Sequence, residues 1–276
     1  GTRTSNPEPD TVKFYPIMMD ILLFIVAIVV TVIIITAIKF IIRKTFLINM
    51  ENPYLLSCSS EGHLHRVIEN QPIIRSDNER DGIEYTYSIW VWLNDFPKDN
   101  TKRYVFLKGT MNKDGEENNT DVPVNASPAM YITTSNKDTN NSAMIVVQQD
   151  ATNGDQLLAE VSNIPLKKWI HVAIIVLQTK FSVLINGKVS KTVLFQNGSV
   201  PEQNNQSIII APQNPLITDT RSNMGFDGWV SRFRYFNYAI PNPQLQGILR
   251  KGPAKVQQSN PFNEKPKYFL NTFWNS

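Results

Sequence analysis

A glycoside hydrolase works with two carboxyl groups about 5 to 10 Å apart, one as acid and one as base or nucleophile. On a strand that requirement means acidic residues at i and i+2 or i+4, and no strand-like stretch of this sequence supplies them. Glu84 stands alone ahead of an apolar run and Asp227 precedes Gly228, while Asp114, Glu116, Glu117 and Asp121 crowd a polar segment where solvation accounts for them. Cys58 is the only cysteine. As a nucleophile it would need His63, His65 or His171 beside it and a depressed thiol pKa, and nothing in the sequence signals either. Cys58, His63 and His65 can also be read as metal ligands, because His-x-His on a strand puts both rings on one face. The trio lacks a partner pair, and surface histidines are the plainer account. Calcium is held by loop oxygens; segment 114–121 and the group Asp150, Asn153 and Asp155 contain such oxygens, but neither follows a ligand pattern. The expectation is therefore a protein with no catalytic group, cofactor or metal, and not an enzyme.

What remains is binding chemistry. Trp90 and Trp92 share one face of a strand, opposite Ile89 and Val91, and can either stack on a sugar ring or pack in a core, packing being the stronger reading. The tail 251–276 carries Pro253, Pro261 and Pro266 and then Tyr268, Phe269, Phe273 and Trp274. A proline-punctuated strip ending in aromatics cannot build its own core, so it should dock on the folded domain or on a neighbouring subunit. These six aromatic residues form the candidate binding surface. A formal charge of +3 with Lys and Arg spread along the chain argues against a nucleic-acid partner.

The elements that position these groups begin with an apolar run over 17–38. Between Ile21 and Ile38 there is no charge, and the only polar side chains are Thr31 and Thr36, whose hydroxyls can bond carbonyls of the preceding turn. At about 1.5 Å per residue this stretch spans roughly 27 Å, close to the thickness of bilayer hydrocarbon. The run continues into Lys39, Arg43 and Lys44 without the small-residue cleavage site of a signal peptide. A retained single-pass transmembrane helix over 17–42, including Ile17, Ile21 and Ile38, is expected, with the lipid bilayer as its partner. The three flanking cations face only Arg3 and Lys13 on the other side, which leans the large domain toward the cytosol, and so does the single cysteine. A loose myristoylation pattern at Gly1 and Ser5 points the other way, as do sequons at Asn118, Asn125, Asn140, Asn197 and Asn205, whose number chance supplies in so Asn-rich a chain.

Beyond the helix, 42% apolar and 10% aromatic residues can build a core. The expected division is a short N-terminal segment (1–16), the helix (17–42), a stalk with an edge strand (43–71), a folded domain (72–248) and the tail (249–276). Within the domain, Tyr85, Tyr87, Ile89, Val91 and Leu93 alternate with Thr86, Ser88, Trp90, Trp92 and Asn94, the period of a strand. Residues 104–107, 129–134, 143–149, 207–211 and 229–236 give further strands. Residues 169–177 are apolar at nearly every position and belong mid-sheet. Residues 181–194 form a hairpin with Asn186-Gly187 at its tip. Helical periodicity is nearly absent outside the anchor, so the domain reads as an all-β sandwich.

Four segments carry a resemblance to the laminin-G-like or concanavalin A-like jelly-roll superfamily: YTYSIWVWL (85–93), VFLKG (105–109), IPLKKWIHVAIIVLQTKFSVLINGKV (164–189) and FDGWVSRFRYFNYAI (226–240). The third is the most specific, with Trp169 and His171 opening a long strand ahead of the Asn186-Gly187 hairpin. The resemblance implies an antiparallel jelly-roll β-sandwich. It leaves function open, since this fold hosts lectins, hydrolases, adhesion modules and structural proteins. The expected function is a non-enzymatic, membrane-anchored structural or binding protein that links a membrane to a protein assembly. Its build is similar to membrane-anchored minor capsid proteins of large DNA viruses, which would place it at a virion inner membrane. The alternative is a membrane-tethered lectin or adhesion module that binds glycans.

Overall fold

The computed structural model describes residues 11–68, 73–76, 82–97, 101–111, 123–135, 141–196, 198–212 and 225–255. It divides into two units, 1–50 and 51–276. The first is occupied by helix α1 (Thr11–Glu51). Its stretch Met18–Ile42, 25 residues with mean hydropathy 3.4, is long and apolar enough to cross a membrane. Thr31 Oγ1 donates to the Ala27 carbonyl at 2.8 Å and Thr36 Oγ1 to that of Val32 at 3.0 Å, so both hydroxyls are satisfied within the helix.

The second unit holds β1 (Tyr54–Glu61), β2 (Arg66–Ile68), β3 (Tyr85–Leu93), β4 (Arg103–Lys108), β5 (Ala129–Ser135), β6 (Asn141–Gln149), β7 (Gln156–Ser162), β8 (Trp169–Leu177), β9 (Lys180–Ile185), β10 (Lys188–Leu194), β11 (Ile208–Ile210), β12 (Gly228–Phe236) and helix α2 (Asn242–Lys251). The strands form two six-stranded sheets, ordered β1-β12-β3-β8-β9-β10 and β2-β11-β4-β5-β6-β7, with antiparallel pairings throughout. This is the jelly-roll sandwich expected from the sequence. β3 lies between β12 and β8 and is buried at every position, which is why its polar face carries Thr86 and Ser88 and no charge. β8, also central, is apolar on both faces for the same reason.

Asn186 and Gly187 have φ of 49° and 79°, the positive angles of a two-residue hairpin turn between β9 and β10. Asn186 also locks the turn to the sheet: its Oδ1 accepts the His171 backbone N–H at 2.9 Å.

The interior is one large apolar cluster shared by the two sheets, with Tyr87, Ile89, Val91, Phe106, Ile174 and Phe233 among its members. A second cluster lies on the other face of the β3 sheet, where Leu245 of α2 packs with Ala173, Leu184, Phe236 and Ile240. Pro243 in the first turn suits a helix start, and Arg250 and Lys251 complement the dipole at its end.

Two expected boundaries are corrected. The segment 43–71 was expected as a stalk with an edge strand; its described part holds edge strands of both sheets, with α1 continuing to Glu51 and β1 and β2 each at one edge of a sheet. An edge strand is covered on one side only, so the small polar run Ser57, Cys58, Ser59, Ser60 suffices there and resembles a linker in sequence. The boundary at 248 falls inside α2, whose Leu245, Ile248 and Leu249 do have helical spacing, though over too few residues to stand out.

Gly228 opens β12 against the end of β3. A Cβ there would sit 1.9 Å from the Trp92 carbonyl oxygen. Gly228→Ala should therefore destabilise the sandwich by about 2 to 4 kcal/mol, read as a lower urea midpoint of the detergent-solubilised chain. An unchanged midpoint would show that the strand end shifts at no cost.

Candidate functional site

Glu84 and Asp227 do not form a hydrolytic pair. Glu84 and Asp227 flank opposite ends of the paired strands β3 and β12, roughly 30 Å apart at about 3.3 Å per residue. Asp227 Oδ1 accepts a hydrogen bond from Asn94 Nδ2 at 2.7 Å. Among the described residues no group of three or more His, Cys, Asp or Glu side chains gathers around a point where a metal could sit. His63 Nε2 lies 2.9 Å from Glu61 Oε2, and His65 Nδ1 lies 3.2 Å from the Ala211 carbonyl. In the turn after β6, Asp150 Oδ1 accepts the Thr152 N–H at 2.8 Å, and Asp155 Oδ2 accepts from Asn153 Nδ2 at 2.6 Å. The acidic segment 114–121 and the tail residues Tyr268, Phe269, Phe273 and Trp274 lie outside the described residues.

Trp90 and Trp92 pack, the stronger of the two readings that their sequence pattern allowed. They retain 7% and 6% of their exposure, too little to offer a ring face. The register of β3 puts Trp90 beside His171 and Trp92 beside Trp169, and both pairs meet edge to face with centroids 5.2 and 5.9 Å apart. Trp92 Nε1 donates to Asn94 Oδ1 at 2.8 Å. The chain beyond α2 crosses the neighbouring strands, where the Ala254 N–H donates to Ser231 Oγ at 2.9 Å and the Ala254 carbonyl accepts from Ser59 Oγ at 3.0 Å. His171 is fully buried in this layer, with Nε2 2.8 Å from Ser88 Oγ. Burial pushes its pKa down to about 4.

The residues that do converge are ones the periodicity of the sequence does not mark. A cavity of about 280 Å³ opens among Ile68 of β2, the segment 73–75, Lys108 at the end of β4, and the run Gln203, Asn204, Asn205, Gln206, Ser207 leading into Ile208. Its walls are tied to the core. Tyr235 of β12 donates its hydroxyl to the Ile74 carbonyl at 2.8 Å and accepts from Gln203 Nε2 at 3.1 Å. Gln203 Oε1 in turn accepts the Ser76 N–H at 3.2 Å. Asn204 Nδ2 donates to the Lys108 carbonyl at 3.2 Å, and its Oδ1 accepts the Gln206 N–H at 3.0 Å.

Lys108 is the unusual member. Only 4% of it is exposed, and its ammonium donates to the Gln206 carbonyl at 2.8 Å. Burial first, and the nearby Arg75 guanidinium second, push its pKa down to about 8. In sequence Lys108 is the ordinary charged end of a strand, and 203–207 is an ordinary polar connection. Only the pairing of β4 with β11, which sets Lys108 opposite Ile208, brings them together.

The depressed His171 pKa makes stability depend on pH. Between about pH 4 and pH 6.5 the unfolded chain binds a proton at this position that the folded chain refuses, so stability rises with pH across that window. The effect is at most on the order of 3 kcal/mol, complete above pH 6.5 and lost on acidification. Denaturant midpoints measured from pH 4 to 7 should show this slope in the native chain and a flatter one in His171→Gln; identical slopes would remove His171 as its source.

Several solved structures are similar to this chain at low identity. The receptor-binding domain of botulinum neurotoxin D is 14% identical, with 71% of this chain and 43% of that one covered and a TM-score of 0.47. Domain 4 of AbnA, an extracellular GH43 arabinanase of Geobacillus stearothermophilus solved with arabinotriose, is 16% identical over 62% and 69% of the two chains, with a TM-score of 0.38. A sialidase of Trypanosoma rangeli is 12% identical over 69% and 26%, with a TM-score of 0.44. This chain thus spans less than half of the neurotoxin domain and about a quarter of the sialidase. A comparison with curated proteins finds no match. A laminin G family model, described as the concanavalin A-like lectin/glucanases superfamily, matches residues 70–246. With that match over the two-sheet sandwich, the chain belongs to the concanavalin A-like lectin/glucanases superfamily.

Proposed function

We propose that the protein is a single-pass membrane protein whose jelly-roll domain is a non-catalytic binding module joining the membrane to a protein assembly. A viral capsid shell over an internal membrane is the assembly its build resembles. The observation that carries this reading is the stretch Met18–Ile42, none of which is buried by the rest of the protein. Leaving each Ile, Leu, Val or Phe of that stretch in water costs about 1.5 to 3 kcal/mol relative to burial, a cost that a bilayer removes. Ile17, Ile21 and Ile38 then lie in lipid, with Lys39, Arg43 and Lys44 at the cytosolic surface. The wide separation of Glu84 from Asp227 supports a role without hydrolysis. Tyr268, Phe269, Phe273 and Trp274 in the tail are the proposed contacts to the assembly.

The test is protease treatment of intact membranes bearing the chain with an epitope at Ser276. The epitope should be removed without permeabilisation, and the chain should remain in the membrane pellet after alkaline extraction. Cleavage only after permeabilisation would overturn the cytosolic placement, and release by alkali would overturn the anchor. In particles that contain the protein, alanine at all four tail aromatics should reduce its incorporation at least tenfold; undiminished incorporation would remove the tail as the contact.

A further inference from the structure

We infer that Lys108 is a reversible modification site, where carbon dioxide adds to the side-chain amine inside the cavity to form a carbamate. The argument starts from how the amine is held. Lys108 ends β4 and is 4% exposed, yet it lines an open cavity of about 280 Å³. Its Nζ has one described hydrogen-bond partner, the Gln206 carbonyl at 2.8 Å. An ammonium carries three N–H donors, so two of them have no described protein acceptor, and no residue of the lining is acidic. Such surroundings disfavour the ammonium and favour the neutral, nucleophilic amine. At a pKa of about 8, roughly a quarter of the molecules hold that amine at pH 7.5, against roughly one in a thousand for an ordinary lysine.

Size and access select the electrophile. At 4% exposure the amine is out of reach of bulky acyl donors and of modifying enzymes, whereas carbon dioxide is small, neutral and freely diffusing. Asn205, Gln206 and Ser207 are exposed and line the same cavity, so its mouth lies on their side. In the step, the Nζ lone pair forms a C–N bond to the carbon of carbon dioxide, one C=O π pair moves onto oxygen, and one N–H proton passes to water. The product keeps a single N–H, which matches the single Gln206 carbonyl that Nζ faces. Its carboxylate oxygens need donors, and the Asn205 and Gln206 amides and the Ser207 hydroxyl line the cavity without a described partner for their side chains. With no carboxylate in the lining, nothing there repels the new negative charge. The site thus passes from cationic to anionic as carbon dioxide rises, and returns when it falls.

The inference goes beyond the membrane reading and is tested on solubilised protein, where sidedness plays no part; its failure would leave that reading standing. The full chain in detergent is equilibrated near pH 7.5 with carbon-13 bicarbonate as the source of carbon dioxide. Triethyloxonium then converts any carbamate to a stable ethyl ester, and the digested chain is mapped by mass spectrometry. Lys108 should carry the labelled group at an occupancy at least tenfold above Lys188 and Lys191, which are exposed on β10. Carbon NMR of the untreated chain should show a carbamate signal that Lys108→Met removes. Asn205→Leu combined with Ser207→Ala, both at exposed positions, should lower the occupancy of Lys108 at least threefold. Occupancy at Lys108 no higher than at Lys188 and Lys191, an undiminished signal in Lys108→Met, or full occupancy in the double variant would each overturn the site.

Discussion

The sandwich depends on an aromatic contact between its two sheets. Tyr87 of β3 and Phe233 of β12 meet Phe106 of β4 across the interior, with Phe106 4.7 Å from Phe233 and 5.9 Å from Tyr87, centroid to centroid. Tyr87 and Tyr235 pack 5.1 Å apart within their own sheet. Rings of this size bury large apolar areas and hold preferred geometries, so they fix both the spacing of the sheets and the register between them. Their hydroxyls must then find partners where the interior ends. Tyr85 Oη reaches Gln148 Oε1 at 2.9 Å, and Tyr235 Oη reaches Ile74 O.

That last bond connects core to cavity. The Tyr235 hydroxyl and Gln203 bond the backbone of 73–76, and Ser76 Oγ accepts the Glu84 N–H. The cavity with its two cations is therefore a consequence of how the core terminates at this end. Residues lining it come from β2, β4 and the approach to β11, three pieces that are far apart in the chain.

The outer face of the β3 sheet follows a different logic. It carries Trp90, Trp92, Trp169 and His171, groups with apolar bodies and polar tips, and it cannot be left in water without exposing a broad aromatic patch. Leu245 of α2 covers part of this sheet, and the residues after α2 bond to β1 and β12 through Ser59 and Ser231. Burial then dictates the chemistry of His171, which is held neutral at ordinary pH and bonded to Ser88. Aromatics that look suited to a sugar are structural here because a central strand has both faces covered.

The sequence alone determined whatever depends on neighbours along the chain. Thr31 and Thr36 inside an uninterrupted apolar run specify a helix whose hydrogen bonds close internally, Asn186-Gly187 specifies a tight hairpin, and the apolar run at 169–177 specifies a central strand, because turn angles, period and local hydrogen bonding are short-range properties. The serine-rich strand β1 was legible only as an edge strand within a stalk, since an edge position relaxes the pattern that identifies strands. Only the tertiary structure decided which face of β3 is covered and by what, and only it placed Lys108 beside Arg75 and the 203–207 run. Those outcomes rest on pairings between strands a hundred residues apart, and such pairings are set by the packing of whole sheets, which no local spacing records.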